Sequence, residues 1–206
     1  VIEALRDRVN IPISIDTSKA AVAQASSQAG ASIVNDVTAL EGDPRMAEVV
    51  AQYHAGLCLM HMKGTPKTMQ DGVSYTHAVH EIERYLSTAI QRAQEHGVSS
   101  DSIIVDPGIG FGKHLSHNLQ LIQACGPMAE RLKRPILMGV SRKSFLGELT
   151  GRAVNDRGAG TAAAVTACVL SGAHIVRVHH VAAARDVVAV AQALRMTRET
   201  TGEWNG

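Results

Sequence analysis

A (β/α) barrel is the fold class this sequence predicts, and three observations predict it. First, short apolar runs end repeatedly in polar side chains. Ile13-Ser14-Ile15 precedes Asp16, Ser32-Ile33-Val34 precedes Asn35-Asp36, and Leu57-Cys58-Leu59-Met60 precedes His61. Ile103-Ile104-Val105 precedes Asp106, residues 135–140 precede Ser141-Arg142-Lys143, and residues 174–178 precede His179. Polar groups at the carboxyl ends of successive buried strands are how a barrel of this kind assembles an active site. Second, helical patterns fill the intervals and no Asn-Gly hairpin signal joins two runs, so the strands are expected to be parallel, with right-handed crossovers. Third, 45% of the residues are apolar but only 3% aromatic. A core of Ala, Val, Leu, Ile and Met suits helices laid on a parallel sheet.

The elements follow in order. Residues 1–10 read as the end of a helix from an earlier unit. Thr17 or Ser18 can cap a helix over 20–28, and Gly30 suits its left-handed C-terminal position. Asp43-Pro44 opens the next helix, with Gly56 beyond its end. A longer loop over 62–75 precedes a long helix over 76–96, stopped by Gly97. Another helical stretch covers 116–132 and is interrupted at Gly126-Pro127. Residues 156–170 form an Ala-rich helix stopped by Gly172, and 181–197 form the last helix. Six β-then-α units do not close an eight-stranded barrel. The expectation is therefore a (β/α)8 barrel domain over 1–199 with about six of its eight units, lacking the first two, and a flexible tail over 200–206 that holds Trp204. An open doubly wound sheet is the alternative; it needs no further strands but leaves the polar residues at all six strand ends unexplained.

Composition removes several function classes. Formal net charge is +1 without a long basic run, so no footprint for nucleic acid is present. No apolar stretch approaches the roughly 20 residues that span a bilayer, and no signal peptide pattern is visible; it is the cysteines that point to the cytoplasm. Cys58, Cys125 and Cys168 are odd in number and lack CxxC spacing, so they read as reduced, buried thiols. His77 and His80 lie three apart on a helix, but no matching set of ligands accompanies them, and a solvated face is the simpler reading. His179 and His180 are adjacent on a strand and point to opposite sides.

Two polar constellations carry chemistry. Asp16, Asn35, Asp106 and Lys143 arrive from four strand ends and would converge on one mouth. A carboxylate accepts paired N–H groups, an amide meets ring nitrogens, and an ammonium meets a carbonyl oxygen, which together suit a flat heterocycle. Arg177 and His179, two apart on a strand, share a side and make an anion site; the plainer alternative is an ion pair of Arg177 with Asp186 or Glu148. The loop from Asp106 to Lys113 holds three glycines and matches neither a P-loop nor GxGxxG. Phe111 sits in it as a candidate ligand wall.

These segments resemble the dihydropteroate synthase family. The resemblance rests on ISIDTSK (13–19), IVNDV (33–37), LMHMKGTPKTMQ (59–70), DPGIGFGKHLSHN (106–118), GVSRKSFLG (139–147) and VRVH (176–179), in family order over nearly the whole chain. It implies a (β/α)8 barrel, a homodimer, and a transferase that joins 6-hydroxymethyl-7,8-dihydropterin diphosphate to p-aminobenzoate with Mg2+ assisting. It also implies roles. Asp106, Asn35 and Lys143 would hold the pterin edge, and Asp16 would lie near the ring and stabilise positive charge. Met60, Val37 and Gly139 would line the flat pocket, and Arg142 would cover its open side. Arg177 and His179 would bind the diphosphate, while Phe111, Lys143 and Ser144 would border the aminobenzoate. Asp16, Lys143, Arg177 and His179 are thus the expected catalytic set.

The chain departs from the family pattern in two places. The family's opening strand and the loop after its second strand are absent, with the Asn that helps hold the diphosphate and its metal and a Thr-Arg-Pro segment over the aminobenzoate. No metal ligand is therefore expected in this chain. His180 stands where the family commonly has Asp. Competing readings are a methyltetrahydrofolate-dependent methyltransferase domain and a non-catalytic pterin-binding module. The methyltransferase does not need the SRKSF segment and the Arg-x-His pair, and diphosphate release separates the module from an enzyme.

Overall fold

A computed structural model describes residues 1–64, 68–69 and 72–201. Among the described residues six strands alternate with helices. They are β1 (Ser14–Asp16), β2 (Ile33–Asp36), β3 (Gly56–Met60), β4 (Ile103–Asp106), β5 (Leu137–Met138) and β6 (Ile175–Val176). The first four pair in parallel, in chain order. A parallel bridge from Val105 to Ile136 carries the sheet on to β5, which pairs with β6. No strand order reverses, so the doubly wound alternative, which needs a switch point, does not apply. The sheet is also rolled. Edge strands of a flat six-stranded sheet stand roughly 24 Å apart at ~4.8 Å per spacing, yet Arg177, just past β6, reaches Asp16 of β1 at 2.8 Å. Beside that contact a cleft of about 1320 Å³ opens between β1 and the last helix, lined by Pro12, Ser14, Val176 and Val181 among others.

The helices are α1 (Ile2–Arg6), α2 (Ala20–Ala29), α3 (Met46–Gln52), α4 (Ala78–Glu95), α5 (Leu115–Gln123), α6 (Cys125–Leu132), α7 (Ser144–Thr150), α8 (Gly158–Leu170) and α9 (Val181–Thr201). In α4, Ala78, Ile82, Leu86, Ala89, Ile90 and Ala93 are buried, the three-to-four spacing of a helix with one face on a core. They meet the outer face of the sheet, where Val34, Leu57, Leu59, Ile103 and Val105 are fully enclosed. Strand alternation leaves the other face for the site.

Several boundaries differ from expectation for local reasons. Neither Thr17 nor Ser18 caps α2. Asp43 does so across the loop, its Oδ2 accepting the Ala20 N–H at 2.9 Å while its Oδ1 takes the Arg45 N–H at 3.0 Å. These two donors hold the Asp43 carboxyl below the usual carboxylate range. Gly30 does end α2 in the left-handed region at φ 116°. Helix α3 stops at Gln52, and Gly56, beyond its end as expected, begins the next strand. The break expected at Gly126-Pro127 falls earlier, at Ala124. Gly126 instead gives its N–H to Ser171 O at 2.7 Å, and a Cβ there would lie 2.6 Å from that oxygen. Helix α7 is an element that the sequence pattern does not mark, and α9 runs to Thr201, into the expected tail. Trp204 lies outside the described residues.

Candidate active site

Register places the first polar set. Asp16 pairs with Asn35, Asn35 with Cys58, and Met60 with Asp106. Directly paired residues of parallel strands share a face, and so do residues two apart, so all five face inward. A cavity of about 310 Å³ opens over this face. It is lined by Met60, Asp106, Ile109, Phe111, Gly139, Ser141, Lys143, Arg177, Val178 and His179.

Asp106 is the centre of the enclosed end, 4% exposed. Its Oδ1 accepts the Gly108 N–H at 2.7 Å. Gly139 lies opposite: a Cβ there would stand 3.9 Å from Oδ2, so the missing side chain leaves that oxygen facing the cavity. Burial pushes the Asp106 carboxyl up, while the Gly108 N–H and the ammonium groups of Lys143 and Lys113 pull it back. The Lys143 Nζ lies 4.0 Å over the Phe111 ring, so the loop phenylalanine and the ammonium together form one wall. Burial lowers the Lys143 amine, with Asp106 opposing. Asn35 is 6% exposed, and its Nδ2 is buried without a hydrogen-bond partner. A buried donor left unmade costs about 1–3 kcal/mol, so this amide is suited to a ligand acceptor.

Behind this wall sits a pair that sequence reasoning left without a role. The buried Lys113 Nζ reaches Phe111 O at 2.9 Å, His61 Nδ1 at 3.0 Å and His61 O at 3.4 Å. Three donors thus meet three acceptors, with His61 in the Nε2-protonated tautomer. The clamp ties the glycine loop to the end of β3. Gly108, at φ 71°, is required there because a Cβ would overlap the His61 carbonyl oxygen. Burial is the main cause that lowers the Lys113 amine to about 7.

His61 should make the fold acid-sensitive. Burial and Lys113 lower its imidazole to about 3 from 6.5. Between these values the unfolded chain binds a proton that the folded chain does not, so stability falls as pH drops from 6.5 toward 3. Thermal unfolding of His61→Asn, whose Oδ1 takes the place of Nδ1, is expected to decline less steeply across that window. An equally steep decline would remove His61 from the acid response.

At the open end, Arg177 Nη2 donates to Asp16 Oδ2 at 2.8 Å, with side chains 56% and 48% exposed. Its partner is Asp16 rather than Asp186 or Glu148. Asp16 therefore stands beside Arg177 at the open end. The His179 Nδ1 lies 2.9 Å from the Ser141 hydroxyl, which also accepts the His179 N–H at 3.4 Å. Ser141 is buried and fixes the ring. Five expected site residues, Asp16, Asn35, Val37, Arg142 and Ser144, are not in the cavity lining. Val37 is half-buried just past β2, and Ser144 is exposed at the start of α7. Arg142 lines a neighbouring hollow with Asn155, Thr161 and His180, because its backbone is left-handed at φ 57°. It does not cover the cavity as expected.

Among the described residues no group of three or more His, Cys, Asp or Glu side chains is placed to hold a metal. Asp16, at the open end, is already engaged by Arg177. The donor set does not make a magnesium site.

A family model described as pterin binding enzyme matches residues 1–179. The chain is 41% identical over 195 residues to a dihydropteroate synthase from Synechocystis sp., covering 94% of this chain and 67% of the relative. To the Escherichia coli K12 dihydropteroate synthase it is 37% identical over 199 residues, covering 97% and 70%. Among solved structures, the Yersinia pestis dihydropteroate synthase with a sulfonamide drug superimposes with a TM-score of 0.92 at 36% identity, over 96% of this chain and 71% of that one. The Xanthomonas albilineans dihydropteroate synthase with 4-aminobenzoic acid gives 0.87 at 39% identity, over 95% and 69%.

Proposed function

The chain belongs to the dihydropteroate synthase family of pterin-binding enzymes, and on that premise we propose how its strand-end residues share the work. The fold is a (β/α)8 barrel, with six of its β/α units in this chain. The activity is transfer: 6-hydroxymethyl-7,8-dihydropterin diphosphate and p-aminobenzoate give 7,8-dihydropteroate and diphosphate. The observation that carries the site reading is the partnerless Asn35 Nδ2 together with the buried Asp106 carboxylate. One offers a donor to a ring nitrogen, and the other accepts two parallel N–H bonds from an amidine-like edge. Lys143 meets the ring carbonyl, Met60 and Gly139 form the flat floor, and Phe111 with Lys143 faces the aminobenzoate.

At the other end Arg177 and His179 receive the diphosphate. The methylene C–O bond breaks with its electron pair going to the diphosphate. The cation left on the pterin is stabilised by the fixed carboxylates, and the aniline nitrogen then forms the C–N bond and gives up a proton. Fixed charges at the two ends do most of this work. Magnesium finds no set of three or more acidic, His or Cys ligands among the described residues. We propose it only as an ion held by the diphosphate's own oxygens, as is common for this hard cation.

Two further features bear on assembly and location. Val190, Leu194 and Met196 are exposed on α9, which supports a homodimer through that helix. No helix of the described residues is long and apolar enough to cross a membrane. Free buried cysteines support a reducing compartment such as the cytoplasm.

Incubation of the chain with the pterin diphosphate and p-aminobenzoate should release diphosphate in step with dihydropteroate. Pterin binding without release would make the chain a non-catalytic module.

A further inference from the structure

Arg157, the residue before α8, gives its hydrogen bonds to main-chain carbonyls. Nη1 reaches Arg142 O at 3.0 Å and Lys143 O at 3.2 Å, and Nε reaches Arg152 O at 3.1 Å. From the first turn of the same helix, Thr161 Oγ1 accepts the Arg142 N–H at 3.2 Å. The start of α8 thus grips both sides of a peptide segment whose first residue is left-handed at φ 57°. A non-glycine residue persists in that region only when its surroundings hold it there. A second observation comes from α7. A Cβ on Gly147 would lie 2.6 Å from the Arg157 Cζ and 2.9 Å from its Nε. The guanidinium therefore fills the place a side chain would take on α7. The φ of Gly147 demands no glycine, so the requirement there is one of space.

We propose that Arg157 is a positioning residue for the pterin site. It fixes the Arg142-Lys143 backbone so that the Lys143 ammonium stays over Phe111, and Gly147 is present to admit it. The proposal rests on the reading that Lys143 holds the pterin edge. A bare surface arginine at a helix start does not explain either the three carbonyl partners or the vacated Cβ position.

A double-mutant cycle tests this, read by calorimetric pterin affinity, KM and kcat, and thermal midpoint. Arg157→Ala is expected to weaken pterin affinity about tenfold and to raise KM for the pterin diphosphate more than it lowers kcat. Gly147→Ala, which keeps the arginine but drives it from its place, should do the same. Combined, the two should cost no more than Arg157→Ala alone, because the added methyl then meets nothing. Millimolar guanidinium should restore part of the affinity of Arg157→Ala and none of that of Gly147→Ala. Additive losses, or unchanged affinity in both single variants while Lys143→Ala loses it, would overturn the proposal. If Lys143→Ala itself binds the pterin normally, the reading of the site fails instead. If Arg157→Ala does not fold, Gly147→Ala decides, since an alanine in a helix is otherwise favourable: a folded variant with weakened pterin affinity supports the proposal, and one with normal affinity ends it.

Discussion

Asp106→Asn is expected to weaken pterin binding by about 10- to 150-fold, the equivalent of roughly 1.5–3 kcal/mol for a buried charge-assisted contact. The direction follows from the surroundings of the carboxylate. The Gly108 N–H already holds Oδ1 at 2.7 Å. An asparagine keeps that bond only by turning its carbonyl to Gly108, which leaves its NH2 aimed where Oδ2 was. Gly139 leaves that direction open to the ligand. A donor would then face the donors of the pterin edge, so the variant both loses a bond and sets up a clash of like groups. The fold itself should not suffer, because burial already works against the Asp106 charge. Calorimetry with a pterin lacking the diphosphate, beside a thermal melt, separates the two effects. Unchanged affinity would remove Asp106 from the ring site.

Arg177→Ala is expected to lower affinity for the pterin diphosphate about tenfold, the lower end of the range for a charge-assisted contact because the side chain is exposed. A pterin without the diphosphate should bind nearly as before. Part of the loss comes from Asp16, whose carboxylate is paired with Arg177 at 2.8 Å. Left alone, it would face the incoming anion. Asp16→Asn should therefore recover part of the affinity in the Arg177→Ala background, a coupling between neighbours that separate measurements would miss. Equal weakening of both ligands would make Arg177 structural and end the anion-clamp account.

What the sequence shows and hides divides along chemical lines. Strand positions were legible because each is a short apolar run closed by a polar residue, and the chain-order sheet follows from crossovers of adequate length. Asp106, Lys143, Phe111, Arg177 and His179 could be singled out because charged or aromatic groups at strand ends have few other uses. The supports could not. Asp43 caps a helix 23 residues earlier in the chain, and capping is read from sequence only when it is local. Lys113 reads as a loop cation until His61, 52 residues away, is seen to receive it. Arg157 likewise looks like an ordinary helix-start arginine. Gly147 gave no signal either, because the helix that holds it, α7, is itself not marked in the sequence. Arg142 was misplaced because side-chain direction in a tight loop depends on backbone angles that spacing alone does not give.

The two ends of the cavity meet solvent differently. Asp106 and Asn35 are enclosed, whereas Arg177 and Asp16 stand about half in water beside the cleft at β1. Dissolved ions screen exposed charges within about 10 Å at 0.1 M and reach buried ones far less. Ionic strength should therefore act as a chemical scalpel on this molecule. Added salt would loosen the grip on the diphosphate and slow its capture from solution, while the hold on the heterocycle stays nearly constant. The ligand's charged tail is recruited from a distance and its ring is recognised only on contact.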